Sequence, residues 1–597
     1  MEIDDAPNMG YLLGAMESED VEVREAALGW LSSAPWRDDD LAVATARAVP
    51  ELARLAHRLP GHRADLLSLL SGIAVRDEWP DGADPAQPAV AAELPSLLPF
   101  AHDDDPEVRD ALLPLLVTCR PPQALPLLRT RLAEEPDPAV RGHVVTALAL
   151  LEPGEGGWRH ELLADPEPKV RLAAAEDLLR TTAPPFPPGL VDACAQAYAA
   201  RPHDLDEAHL APAPHRRFAD RLLDDPEAAL RATAGGVPLA FEIAEHWRDR
   251  EIEVLPWALR DLQDYYEDLD QLGRLCCVLP AELHARVRER VRPYLDRDFA
   301  LRAAAVAALA RAHAPEAVEE AVRLVEEEPF PPVPPGPHRV VRAVEAVAEV
   351  FGPGALPVAR AVARRVGRGH ADLIRVLEHY PEVALEVVDE VAALVPRYES
   401  GHAWAAITLL GALGPAAGDG AARALRDEAT QGCHSSVAVY AAVAHHRVSG
   451  DPGLALSLLE REGPASWPEF AGGLGPAAGP LLPYLEARLA PGDPVGAGSA
   501  AARAIWQITG RTEDTLEPLA RCAAADNHHT RRIASVTALT EMGLLPRFAV
   551  APLRAAAESP RRVVRDLGDR SGLHPDYRLR TAVRTLLATA EVIDARD

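Results

Sequence analysis

Lysine is almost missing from this chain. Of its 61 basic residues, 60 are arginine, and Lys169 is the one lysine. That lysine stands in "EPKVR" with no glycine run before it, so a G-x-x-x-x-G-K-[ST] phosphate loop is excluded. Cysteine is scarce as well, with six in 597 residues, at 119, 194, 276, 277, 433 and 522. Apart from the adjacent pair Cys276 and Cys277 they lie far apart, and no C-x-x-C occurs. This argues against a zinc module or a disulfide framework and for a reducing, cytoplasmic setting. Aromatics make up only 5%, and the residues that dominate sheets are few, which argues against a β-rich fold. No apolar run approaches the ~20 residues that span a bilayer, so no membrane association is expected. The opening "MEIDDAPNMG" is acidic and has no apolar core, so it does not read as a signal peptide. Positive charge is in deficit: 61 basic against 91 acidic residues leave a net −30. Such a surface repels nucleic acid and anionic lipid. The mild C-terminal excess of arginine, 15 against 12 acids over residues 501–597, is ordinary surface fluctuation.

What the chain has in abundance is Ala, Leu, Arg and Glu, all good helix formers. At 597 residues it is too long for one hydrophobic core, so several domains or an elongated array are expected. Three phrases decide for the array. "DDDPEVRDALLPLL", "EPDPAVRGHVVTAL" and "DPEPKVRLAAAEDLL" align on Val108, Val140 and Val170. From each valine, positions +3, +4, +7 and +8 form one helical stripe: Ala111, Leu112, Leu115 and Leu116 in the first copy. The second copy uses His143, Val144, Ala147 and Leu148; the third uses Ala173, Ala174, Asp177 and Leu178. Small residues at +3 and +4 let a neighbouring helix approach closely. Asp105-Pro106 and Asp137-Pro138 supply an N-cap carboxylate followed by proline at the first helical position; Glu167-Pro168 is a poorer version.

Weaker copies surround Val23, Leu230, Leu301, Thr530 and Leu579. In all eight the residue after the anchor is arginine: Arg24, Arg109, Arg141, Arg171, Arg231, Arg302, Arg531 and Arg580. A second phrase, Gly-Pro after an apolar residue, starts at Phe351, Leu413 and Leu474, two periods apart each time. It reads as the turn to the next helix. The unit is therefore helix, turn, helix, turn with a period near thirty, the mark of a solenoid. Helix pairs that cannot bury their apolar faces alone do so by stacking, and about 15–19 pairs would fill the chain.

The pattern D-P-x-V-R-x-x-A-A-x-x-L resembles the HEAT repeat, in particular the short HEAT-like variety of phycobilisome lyases. The match is strongest at 103–180, clear at 18–32, 296–310 and 574–588, and degenerate over 340–545. The resemblance implies an all-α solenoid in which the Val-Arg helix is the second of each pair and lines a concave face. It also implies side-chain ladders between repeats. That gives Asp20 with Arg24, Asp105 with Arg109, Asp137 with Arg141, Asp298 with Arg302, and Asp576 with Arg580 a structural role, along with Arg171, Arg231 and Arg531.

Proline-rich stretches interrupt the period at 80–88, 183–188 and 327–337. The expected organisation is N-terminal repeats over 1–180, divergent helical repeats over 181–326, a loop at 327–337, and C-terminal repeats over 338–597. Residues 239–295 are rich in aromatics and acids and predict longer, irregular helices, with Trp247, Trp257, Tyr265 and Tyr266 among them.

Chemistry is thin. The deoxyhypusine hydroxylases are HEAT-like enzymes that hold di-iron through paired His-Glu dipeptides. This chain has one, His160-Glu161; Glu245-His246 and Glu378-His379 run the other way. One dipeptide cannot supply the roughly six ligands of such a site. The adjacent pairs His445-His446 and His528-His529 diverge on a helix, and His143 suits a hydrogen-bonded interior position. No catalytic residue, metal ligand or cofactor is assigned. The function read from the sequence is a non-catalytic scaffold or adaptor with an acidic surface, taking a protein partner, basic or arginine-rich, in its groove. Outward-facing Glu25, Asp110 and Glu176 are the candidate contacts. The alternative is an enzyme or enzyme accessory of the HEAT-like lyase or hydroxylase group.

Overall fold

The computed structural model describes residues 9–32, 42–74, 86–152, 157–200, 218–327, 336–367, 371–396, 402–431, 435–462, 468–489, 495–525, 529–564 and 572–593. The core of the proline-rich loop expected at 327–337, and most of 80–88, lie outside them. The described residues form 34 α-helices, joined by short 3₁₀ turns, and two three-residue strands. The protein is an all-α solenoid. Its chain divides into two compact units, Met1–Leu239 and Ala240–Asp597.

In the first unit, alternate helices stack on one another. Arg63–Ala74 packs on Pro106–Cys119, which packs on Pro138–Leu151, which packs on Pro168–Thr181. These last three carry the repeated Val-Arg phrase. Val108, Leu112, Leu115, Leu116, Val140, Val144, Ala147, Leu148, Val170, Ala173 and Ala174 are all buried, so the helical stripe is the packing stripe. Each fully buried leucine or valine in it contributes about 1.5–3 kcal/mol. The copy at Val21–Ser32 differs. Ala27, Leu28 and Leu31 are buried there, whereas Val23 and Trp30 are exposed by 40% and 44%.

In the second unit the same stacking joins Tyr266–Cys276, Phe299–Arg311 and Gly336–Phe351. Glycine allows close approaches between helices. A Cβ on Gly273 would lie 3.2 Å from the Ala308 Cα, and one on Gly411 would lie 3.2 Å from the Ala444 Cβ. The recurring Gly-Pro phrase has a backbone cause. Gly352, Gly414 and Gly475 have φ of +50°, +58° and +57°, the left-handed region that ends a helix, and the following proline opens a 3₁₀ turn. Among the described residues, one stretch, Arg339–Arg364, is long and apolar enough to cross a bilayer; it is broken at this turn into two helices that pack on their neighbours.

Residues 239–295 hold short helices rather than the longer ones expected. Ala240–His246, Glu251–Asp261, Tyr266–Cys276 and His284–Val291 run 7, 11, 11 and 8 residues. The reason is local. Arg248–Arg250 break the chain between the first two helices, Asp249 has φ +61°, and Leu262–Tyr265 leave the helical conformation before the third. The second unit also returns on itself. Trp247 forms an antiparallel bridge with Arg561, and the strands Leu544–Pro546 and Glu591–Ile593 pair in parallel beside it in sequence.

Candidate binding surface

The repeated charges are mostly committed to building the stack. Asp20, Asp105, Asp137 and Asp298 each accept backbone N–H groups at a helix start, for example Ala139 N at 2.8 Å and Val140 N at 3.1 Å on Asp137. They are caps. The ladder uses a different set of acids, two residues before each cap position. Asp103, Glu135 and Asp165 accept the N–H of Asp105, Asp137 and Glu167. Each also receives an arginine from the preceding stacked helix: Arg63 on Asp103 at 2.9 Å, Arg109 on Glu135 at 2.5 Å, and Arg141 on Asp165 at 2.9 Å. The sequence reading missed these acids. Their signal is an acid two residues before the cap acid, in "DDDP", "EPDP" and "DPEP".

Arginine is required because one guanidinium must serve two places. Arg109 donates through Nε and Nη2 to Glu135 and through Nη1 to the Asp103 carbonyl at 2.8 Å. Arg24 and Arg171 donate to the equivalent carbonyls, Ser18 at 2.6 Å and Asp165 at 2.7 Å. Glu135 is fully buried. Burial opposes its charge, but the bonds from Arg109 and Arg131 outweigh that and hold its carboxyl below the usual range.

The other sequence-nominated arginines take related places. Arg231 forms an exposed bidentate pair with Asp192, and Arg302 reaches Glu327. In the copy at His529–Met542 the register lies one residue later than the sequence alignment sets it. Arg531 is exposed, and Arg532 is the buried residue that donates to the Ala523 carbonyl. Asp576 is also not a cap. His574 holds that position, its Nδ1 accepting from Asp576 N at 3.1 Å. Asp576 is fully buried and takes Arg248 through both carboxylate oxygens, at 2.6 and 2.9 Å. Arg580 donates to the Ala557 carbonyl and to Asp249.

Of the candidate partner contacts, Glu25 is exposed. Asp110 is half-buried and bonded to His143 Nδ1 at 2.6 Å, which ties adjacent stacked helices. Glu176 is half-buried. Burial does not remove the acidic excess. Among the described residues it takes in nine arginines and seven acids, so the surface keeps the chain's negative balance. Exposed acids gather at the helix starts, as with Glu22, Asp104, Asp105 and Glu107.

His160 and Glu161 are exposed on the short helix Trp158–Leu162, and Glu378 and His379 are exposed as well. Glu245 instead joins Arg274 at 3.0 Å and His574 at 3.1 Å. Burial works against its charge, yet His574 and the two nearby arginines, Arg274 and Arg562, bring its carboxyl down to about 2. His445 is buried and accepts from Arg426 at 3.2 Å; His528 lies outside the described residues. Among the described residues no three or more His, Cys, Asp or Glu side chains are grouped to hold a metal ion.

Residues 94–155 match the family model of HEAT repeats. The segment spans the copies at Val108 and Val140, whose caps and ladder are described above. No curated protein matches the chain. Among solved structures it is similar to Kap95p in a structure of its binding to RanGDP, at 13% identity and TM-score 0.37, over 98% of this chain and 88% of that one. It is similar to Kap95 in a complex with Nup1, at 13% identity and TM-score 0.38, over 98% and 88%. Kap121p aligns at 14% identity and TM-score 0.33, over 98% of this chain and 69% of that one.

Proposed function

We propose that this protein is a non-catalytic scaffold of HEAT-like repeats that binds a basic, arginine-rich protein segment in the cytoplasm. One observation carries the reading. Arg109 and Arg141 are engaged with ladder acids inside the stack, while exposed acids stand at the starts of Val21–Ser32 and Pro106–Cys119. A surface of this kind attracts positively charged partners over distance and orients them, an effect weakened by salt. The match of residues 94–155 to HEAT repeats supports a stacked-helix platform for such contacts.

The test is affinity capture from native cytosol at 50 and 300 mM salt, with the retained proteins identified and one of them purified. Its affinity is then measured for the wild type and for Glu22→Lys/Glu25→Lys. A stoichiometric partner whose affinity falls at least tenfold with salt and at least threefold in the variant is the expected result. A partner indifferent to both overturns the acidic-surface reading.

A further inference from the structure

The return of the second unit on itself is built from unusual materials. Along the stack, neighbouring helices meet mainly through Ala, Leu and Val, with one ladder ion pair at a step such as Arg109 on Glu135. Where residues 244–251 meet residues 556–564 and 572–580, the contacts are ion pairs, main-chain bonds and the Arg561 guanidinium over the Trp247 ring. Arg248 N donates to the Pro560 carbonyl and Arg562 N to the His246 carbonyl, both at 2.9 Å. Arg248 then caps the far helix, donating to the Ala556 and Ser559 carbonyls at 2.8 Å. Arg562 does the reverse, donating to the Ala244 carbonyl at 2.6 Å. Each arginine closes the end of the other's helix. Asp576 receives Arg248, Glu251 receives Arg562 and the Tyr577 hydroxyl, and Asp249 receives Arg580. Among the described residues, the helices of 240–261 approach those of 529–589 only sparsely. A narrow crevice, lined by Phe241, Leu275 and Leu573 together with Glu245, Arg562 and His574, lies beside these contacts.

We infer that this junction is a releasable clasp: the second unit opens where residues 244–251 meet residues 556–564 and 572–580, while its repeats stay folded. Two physical facts support it. Buried ion pairs recover little more than the cost of removing both charges from water, so a junction made of them holds weakly for its size. In a repeat array each unit is stabilised by its immediate neighbours, so releasing the junction removes one interface and leaves every stacked pair in place. An apolar helix interface in the same position would have to expose its core to open.

Hydrogen exchange of the full chain, read at single residues, tests this. The Arg248 and Arg562 amides, whose acceptors lie across the clasp, are expected to exchange together. They should do so at least tenfold faster than amides in the middle of Phe299–Arg311 and Ser435–Ser449. Asp576→Asn should speed both by a further tenfold and leave the helix amides unchanged. A second variant guards against a local packing defect. Trp247 and Arg561 form a non-hydrogen-bonded antiparallel pair, the geometry that accepts a disulfide. Trp247→Cys/Arg561→Cys in the Asp576→Asn background should restore slow exchange when oxidised and lose it on reduction. If the clasp amides exchange at the rate of the helix amides in the wild type, or if Asp576→Asn speeds the whole unit at once, the junction is part of the cooperative core and the inference fails.

Discussion

Single residues set the repeat's punctuation. Gly352, Gly414 and Gly475 each hold a left-handed φ before a proline, a conformation that costs other residues about 1–2 kcal/mol. Gly414→Ala should destabilise the protein by about 1 kcal/mol in chemical denaturation, whereas the same change at exposed Gly61, whose Cβ would meet open space, should be small. Buried histidines give a second residue-scale effect. Burial pushes His445 below its ordinary value, with Arg426 adding to it, and burial does the same for His284. Both hold a proton less readily in the fold than in the unfolded chain, where histidine takes one up as pH falls through about 6.5. The unfolded state then binds more protons, so stability falls with pH below about 6.5, by up to about 1.4 kcal/mol per pH unit for each histidine. His445→Gln should flatten the slope between pH 6.5 and 5; an unchanged slope would mean that His445 titrates alike in both states.

At the scale of the helix, two devices recur: a cap at the start and an arginine that ties one repeat to the next. Asp137→Ala removes two backbone bonds and should cost about 1 kcal/mol. Arg109→Ala leaves the buried Glu135 with one fewer cation and should cost about 3–5 kcal/mol, far more than the exposed Arg231→Ala, whose pair with Asp192 lies in solvent. Thermal and urea unfolding of the three variants would rank them. The sequence showed the helices, the stripe and the caps because each leaves a local signature: apolar spacing, Asp before Pro, Gly before Pro. It concealed the ladder acids, since Glu135 and Asp165 are chosen by the helix that stacks next to them, a contact 24–26 residues away in the chain. The alignment at Arg531 failed for a related reason. Without a proline to fix the start, the helix settled one residue later, and burial of Arg532 decided the register.

For the whole molecule, the sequence disclosed an array but not that part of it returns on itself. The residues that do this, Arg248 with Asp576 and Glu251 with Arg562, are bonded across more than 300 positions, and all but Asp576 sit in stretches with no repeat phrase. Salt should separate the two kinds of contact. Stacking through Ala, Leu and Val is insensitive to moderate salt, so helical content by circular dichroism should be unchanged between 50 and 500 mM. Affinity for a basic partner should decline over the same range. The closure of the second unit also fixes an integer. An open stack tolerates the gain or loss of a helix pair, because its free end simply shifts along. Between Arg248 and Asp576 every pair contributes a set rotation and rise, and the two side chains meet only when the total is right. Deleting one pair from this stretch would strand both charges, so the second unit is held to its present count of repeats.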